Sequence, residues 1–145
     1  MLRILQEKLF EKRSAWKAFT PALICAAIIF CLSVISTGIQ LPETFFSPDK
    51  IGHFAAYGLL SWLMLNGLRK TGRQETLFSM LAIAAVSGYG ISLEFVQWAF
   101  FPHRYFEVWD MIANIAGAVF SYLAMKGLEG LDWFKRFSDK PPKPI

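Results

Sequence analysis

Charge is scarce in this chain, and cysteine nearly so. Of 145 residues, 18% are charged against 54% hydrophobic and 16% aromatic, and the mean hydropathy is positive. Soluble domains of this size do not carry that balance, and so short a chain forms one packed unit. Residues 19–39 contain no Asp, Glu, Lys or Arg at all. The two cysteines, Cys25 and Cys31, both lie in that stretch. Their spacing turns them about 240° apart on a helix, so they cannot pair within it and form no metal-ligand pattern. HExxH, GxSxG and phosphate-binding glycine loops are also missing, which removes the common signatures of zinc hydrolases, serine hydrolases and nucleotide binders. No internal repeat is present.

What is there is a set of four apolar stretches, residues 19–39, 51–68, 76–101 and 108–125. At ~1.5 Å per residue each covers most or all of a ~30 Å hydrocarbon core. The expected fold is therefore an all-α membrane protein with four transmembrane helices and an N-terminal interfacial amphipathic helix. Its expected divisions are an interfacial segment at 1–18, the four-helix domain at 19–126 and an interfacial, unfolded tail at 127–145. Thirteen of the fifteen lysines and arginines lie in the N-terminal tail, in the loop at Arg69, Lys70 and Arg73, or from Lys126 onward. Lys50 and Arg104 are the two elsewhere. By the positive-inside rule both termini are cytoplasmic and the loops at 41–48 and 102–107 face outward. The net charge of +4 thus follows membrane orientation and anionic lipid rather than nucleic acid.

Residues 19–39 outrun the ~7–15-residue core of a signal peptide, so the first stretch is expected to stay as an anchor despite Ser36 and Gly38 near its end. Ahead of it, Leu2, Leu5, Leu9 and Trp16 alternate with Arg3, Lys8, Lys12 and Arg13 in a pattern suited to headgroups. Thr20 is expected to cap the spanning helix, with Pro21 in its first turn. After the last stretch, Trp133, Phe134 and Phe137 among Lys135 and Arg136 read as an interfacial anchor, and 140–144 as unfolded. Small residues recur every four positions as Ala84, Gly88 and Ser92, as Ala113, Gly117 and Ser121, and as Gly52 with Ala56. Ordinary close packing between helices is the expected use of all three sets.

The polar residues of the spans gather near the outward ends. Asp49, His53 and Tyr57 are spaced i, i+4, i+8 on one helical face, with Lys50 beside them. Glu94 and Gln97 share a face that Ser87 and Gly90 extend inward, which puts Glu94 about ten ångströms deep. Asp110, Asn114 and Gly117 form a third stripe, and His103 and Arg104 lie in the intervening turn. Single polar residues in membrane helices often only fasten neighbours, at roughly 1 kcal/mol each, and Asp49 or Asp110 could merely favour a helix N-terminus. An ionisable group as deep as Glu94 is expensive and points to function with a nearby partner, for which His53, Lys50 and Arg104 are available. Three such stripes at one level are expected to face each other.

These residues carry a family pattern. Asp49-Lys50-Ile51-Gly52-His53-Phe54 followed by Tyr57, then Glu94-Phe95-Val96-Gln97, then Arg104 and the run Asp110 to Gly117 resemble the VanZ-like membrane proteins, in which DKxxHFxxY, ExxQ and an arginine before DxxxNxxG recur in this order. The resemblance covers about residues 49–117. It implies a bacterial integral membrane protein of the cytoplasmic membrane, in a family named for an association with low-level resistance to the glycopeptide teicoplanin.

Two functions of different class follow. The first is a cell-envelope protein whose outward cavity binds or modifies an amphiphilic or lipid-linked ligand. In it Asp49, Lys50, Tyr57, Gln97, Arg104 and Asn114 are the ligand-binding candidates and His53, Glu94 and Asp110 the catalytic ones. No nucleophile stands out, so whether a reaction occurs is open. The second is a non-catalytic assembly module presenting a fixed hydrogen-bond network. A divalent-metal site from His53, Asp49, Glu94 and Asp110 is a third option. No metal or cofactor is assigned on these grounds, the expected partners are membrane lipids, and the oligomeric state is open.

Overall fold

The computed structural model describes residues 2–35, 47–101 and 106–130, with the backbone alone for residues 2–15. Helices make up almost all of it: α1 (Leu2–Ile35), α2 (Pro48–Lys70), α3 (Thr76–Phe100) and α4 (Val108–Gly130), and no strand occurs among the described residues. The all-α expectation therefore holds. Trp16–Ile35 of α1, all of α3 and all of α4 are long and apolar enough to cross a membrane. α2 is also long enough, at 23 residues or ~35 Å. Asp49, Lys50, His53, Arg69 and Lys70 dilute its hydropathy, but α2 packs against all three other helices, and His53 and Arg69 find partners on α3 and α4. It runs the length of α4, from His53 beside Asn114 to Arg69 beside Glu129. The protein is a multi-pass membrane protein.

The helix starts and stops follow local chemistry. Ser47 occupies the N-cap of α2 in extended conformation, Pro48 follows in the first turn and Asp49 adds a favourable charge there. α2 ends where Thr71 returns its hydroxyl to the Gly67 and Leu68 carbonyls and Gly72 takes a left-handed φ of 71°. The expected cap at Thr20 is not found. α1 continues through it with Pro21 inside the helix, and the Thr20 hydroxyl instead donates to the Trp16 carbonyl at 3.0 Å. A serine or threonine bonding back to the preceding turn is one of the devices by which a membrane helix accommodates proline.

Packing is inverted relative to a soluble domain. Leu23, Ile28, Leu59, Leu81, Phe120 and Leu123 are exposed, whereas Ser61, Glu94, Gln97, Asp110, Asn114 and Ser121 are buried. Only a hydrocarbon surround makes that arrangement favourable, since exposed apolar groups cost nothing in lipid and buried polar groups need partners in the bundle. α2 and α4 form the most extensive pair. A Cβ on Gly117 would strike the Phe54 carbonyl, so the two backbones touch. Ser61 donates to the Ala118 carbonyl and Ser121 to the Gly58 carbonyl across the same seam.

Of the three small-residue sets, Gly117 and Ser121 pack as expected, but two others do not. Ala84, Gly88 and Ser92 lie exposed on α3, with nothing within 4 Å of a Cβ on Gly88, because the buried face of α3 is the one carrying Ser79, Ile83, Val86, Gly90 and Glu94. Gly52 is likewise exposed, and with Ala56 it borders a cavity instead of a helix crossing. Residues 102–105 and 131–145 lie outside the described residues, and with them the expectations for His103, Arg104 and the C-terminal tail. So do Ser36 and Gly38 and the side chains of Leu2, Leu5 and Leu9.

Candidate functional site

At one end of the bundle the last turns of α1 and α3 meet the first turns of α2 and α4. Helix spacing brings Asp49, His53 and Tyr57 down one side of α2, Glu94 and Gln97 down α3, and Asp110 and Asn114 down α4. Burial then joins them, because in lipid each polar group is stable only against another. The imidazole of His53 is the meeting point. Its Nδ1 lies 3.0 Å from Asn114 Oδ1 and 3.9 Å from Glu94 Oε1. Its Nε2 lies 3.6 Å from Asp110 Oδ2 and 3.9 Å from Asp49 Oδ1.

The amide oxygen of Asn114 accepts only, so in the Nδ1–H tautomer the ring donates to it. That fixes the ring and turns Nε2 toward two carboxylates. The Nε2 separations are too long for direct hydrogen bonds. Tyr57 lies one turn deeper, its ring parallel to the imidazole within 9° and 6.3 Å from it between centroids. Gly90 leaves the space that this arrangement needs, since a Cβ there would sit 2.8 Å from both Asn114 Nδ2 and Tyr57 Cε1. Ser87, on the same side of α3, has a buried hydroxyl without a hydrogen-bond partner.

A cavity of about 280 Å³ opens beside this cluster. α2 contributes Pro48, Asp49, Gly52, His53, Ala56 and Tyr57 to its wall, and α3 contributes Gln97. The remaining wall is Ile29, Leu32 and Ser33 of α1. By sequence the first stretch has only an anchor's part, and the stripes of α2, α3 and α4 are expected to face each other. Instead Glu94, Asp110 and Asn114 stand behind His53 and the open space faces α1. Two side chains hold α1 there: Gln97 Nε2 donates to the Ser33 carbonyl at 2.9 Å, and the Tyr89 hydroxyl to the Ala26 carbonyl at 2.8 Å.

Sequence reasoning passed over Ser33, Tyr89 and Ser61. The available signal was a lone hydroxyl in an apolar run, which is weak. Lys50 is placed beside the cluster but not in the cavity, with its ammonium 3.8 Å from Glu107 and 3.4 Å from the Ser47 hydroxyl. Arg104 lies outside the described residues.

The arrangement can therefore place a fixed imidazole and an amide at the polar end of a cavity whose other wall is apolar. The sequence matches the protein-family model described as VanZ/LLP1 over residues 6–129, which takes in all four helices and the whole of this cluster. No curated protein and no solved structure matches the chain.

Proposed function

The chain belongs to the VanZ/LLP1 family, and from that membership and the geometry of its polar end we propose that it binds an amphiphilic envelope lipid or lipid-linked ligand. The head group lies against His53, Asp49 and Gln97, and a chain of the ligand runs along Ile29 and Leu32. One observation carries this reading: a single cavity has a polar wall on α2 and α3 and an apolar wall on α1. Leu32 in that wall is 64% exposed, so the apolar side continues onto the lipid-facing surface. At about 280 Å³ the space sits at the lower bound of small-ligand sites. It has room for a head group and not for a whole glycopeptide.

In this reading the cavity faces outward across the cytoplasmic membrane with both termini inside, as the distribution of Lys and Arg favours. Glu94 and Asp110 flank His53, the group suited to proton exchange if the ligand is modified as well as held. A tie to glycopeptide or teicoplanin resistance would then act through the lipid-linked ligand that such compounds engage. A second reading, a non-catalytic assembly module, is favoured by the exposed Ala84, Gly88 and Ser92 on α3, a surface on which another helix could approach closely.

The experiment is mass spectrometry of lipid retained by the detergent-purified protein. Wild type is expected to hold about one amphiphile per chain, and Ala56→Trp, which fills the cavity, to hold none while staying folded. Equal retention by both proteins would refute the reading and leave the assembly module.

A further inference from the structure

His53 Nε2, Asp49 and Asp110 present ligand atoms that all lie within 4.8 Å of one another. The two measured edges from Nε2, 3.6 Å and 3.9 Å, are too long for N–H···O hydrogen bonds. They are close to the donor-to-donor separations around a cation with ~2.0–2.2 Å bonds to nitrogen and oxygen, about 3–4 Å depending on geometry. On the far side of the ring, Nδ1 is held by the Asn114 amide oxygen at 3.0 Å. In the Nδ1–H tautomer this is the outer hydrogen bond that a metal-ligating histidine makes, with Nε2 left as the donor atom.

A second observation concerns the burial of Asp110 itself. Asp110 is 4% exposed, its Oδ2 faces His53, and its Oδ1 is buried without any hydrogen-bond partner. An ionised carboxylate oxygen in that state is costly, and a cation held by both oxygens of the group would satisfy it. Asp49, with a side chain 51% exposed, gives the ion access from the membrane surface, and both it and His53 line the cavity.

We propose that His53 Nε2, Asp49 and Asp110 form a binding site for a divalent transition-metal ion of the Zn²⁺ kind. The nitrogen donor disfavours Mg²⁺ and Ca²⁺, which take oxygen ligands. With Asp110 bound through both oxygens the three residues fill four positions, so an ion expanding to five or six coordination keeps at least one open, as in metal sites that act on a substrate. That position lies on the cavity side, where an oxygen of a head group or a water could take it. Asn114 is a positioning residue in this arrangement. The site stands on its own ligands and does not require that the cavity hold lipid.

Full-length, tag-free protein in detergent, stripped with chelator and titrated with Zn²⁺, tests this by calorimetry and by metal content after dialysis. Co²⁺ loading adds a visible absorption band that reports coordination. The expected result is about one Zn²⁺ per chain, at least tenfold weaker binding in Asp49→Asn and Asp110→Asn, and a loss of roughly ten- to hundredfold in Asn114→Ala. Glu129→Gln, at the other end of the bundle, is expected to bind like wild type. Asp49 is exposed, so its variant tests the site even if Asp110→Asn fails to fold. Wild type that retains no metal, or Asp49→Asn that binds as tightly as wild type with the same Co²⁺ spectrum, overturns the site.

Discussion

Gly117→Ala should be among the most damaging single-methyl changes in this protein, and Gly88→Ala among the least. Both glycines sit in small-residue repeats of equal appearance. At Gly117 the added Cβ meets the Phe54 carbonyl and lies 3.0 Å from the Gly58 nitrogen, both backbone atoms that cannot swing aside. α2 and α4 would have to separate. Overpacking of this kind typically costs about 1–3 kcal/mol. Separation also stretches the Ser61–Ala118 and Ser121–Gly58 hydrogen bonds, worth about 0.6 kcal/mol each in membrane bundles. The sum is a loss of about 2–4 kcal/mol. At Gly88 nothing lies within 4 Å, so the change should be neutral or gain up to ~1 kcal/mol of helix propensity. Reversible unfolding by denaturing detergent in mixed micelles measures both. A Gly117→Ala protein within 0.5 kcal/mol of wild type, or a Gly88→Ala protein destabilised as much as Gly117→Ala, would refute the packing described.

Glu94→Gln keeps the shape and most of the hydrogen-bonding capacity of a buried side chain beside His53 while removing its charge. It is expected to accumulate normally in the membrane yet fail in the envelope or teicoplanin-susceptibility assay that wild type supports, and full activity at normal expression would mark Glu94 as a fastener only. In a background without Cys25 and Cys31, Phe106→Cys is expected to react with an impermeant maleimide in intact cells, and Gly72→Cys only after permeabilisation. The reverse pattern would invert the membrane orientation and move the cavity to the cytoplasmic side.

The polar cluster was legible because its residues obey helical spacing on three separate stretches, and lipid leaves such residues few places to go. Asp49, His53, Glu94, Asp110 and Asn114 meet as their spacing implies. The share of α1 was not legible. Ile29 and Leu32 look the same in sequence whether they face lipid or line a cavity, and α1 is tied in through backbone carbonyls, which every residue has. The small-residue repeats misled for a related reason. A period of four marks a face on which a close approach is possible, and it does not say whether a neighbour occupies that face. Ala84, Gly88 and Ser92 fall on the outer side of α3 because the inner side already carries Gly90, Glu94 and Gln97. Thr20 and Pro21 read as a helix start under rules for soluble helices, whereas in an apolar surround the hydroxyl remains with its own helix.

The most direct test of the lipid-binding account is an experimental structure in lipid nanodiscs, read at the space between α1, α2 and α3. The account predicts elongated density along Ile29 and Leu32, ending in a head group within about 3.2 Å of His53, Asp49 or Gln97. A space closed by α1 packing onto Tyr57, or one holding only water while lipid lies elsewhere on the bundle, would contradict it.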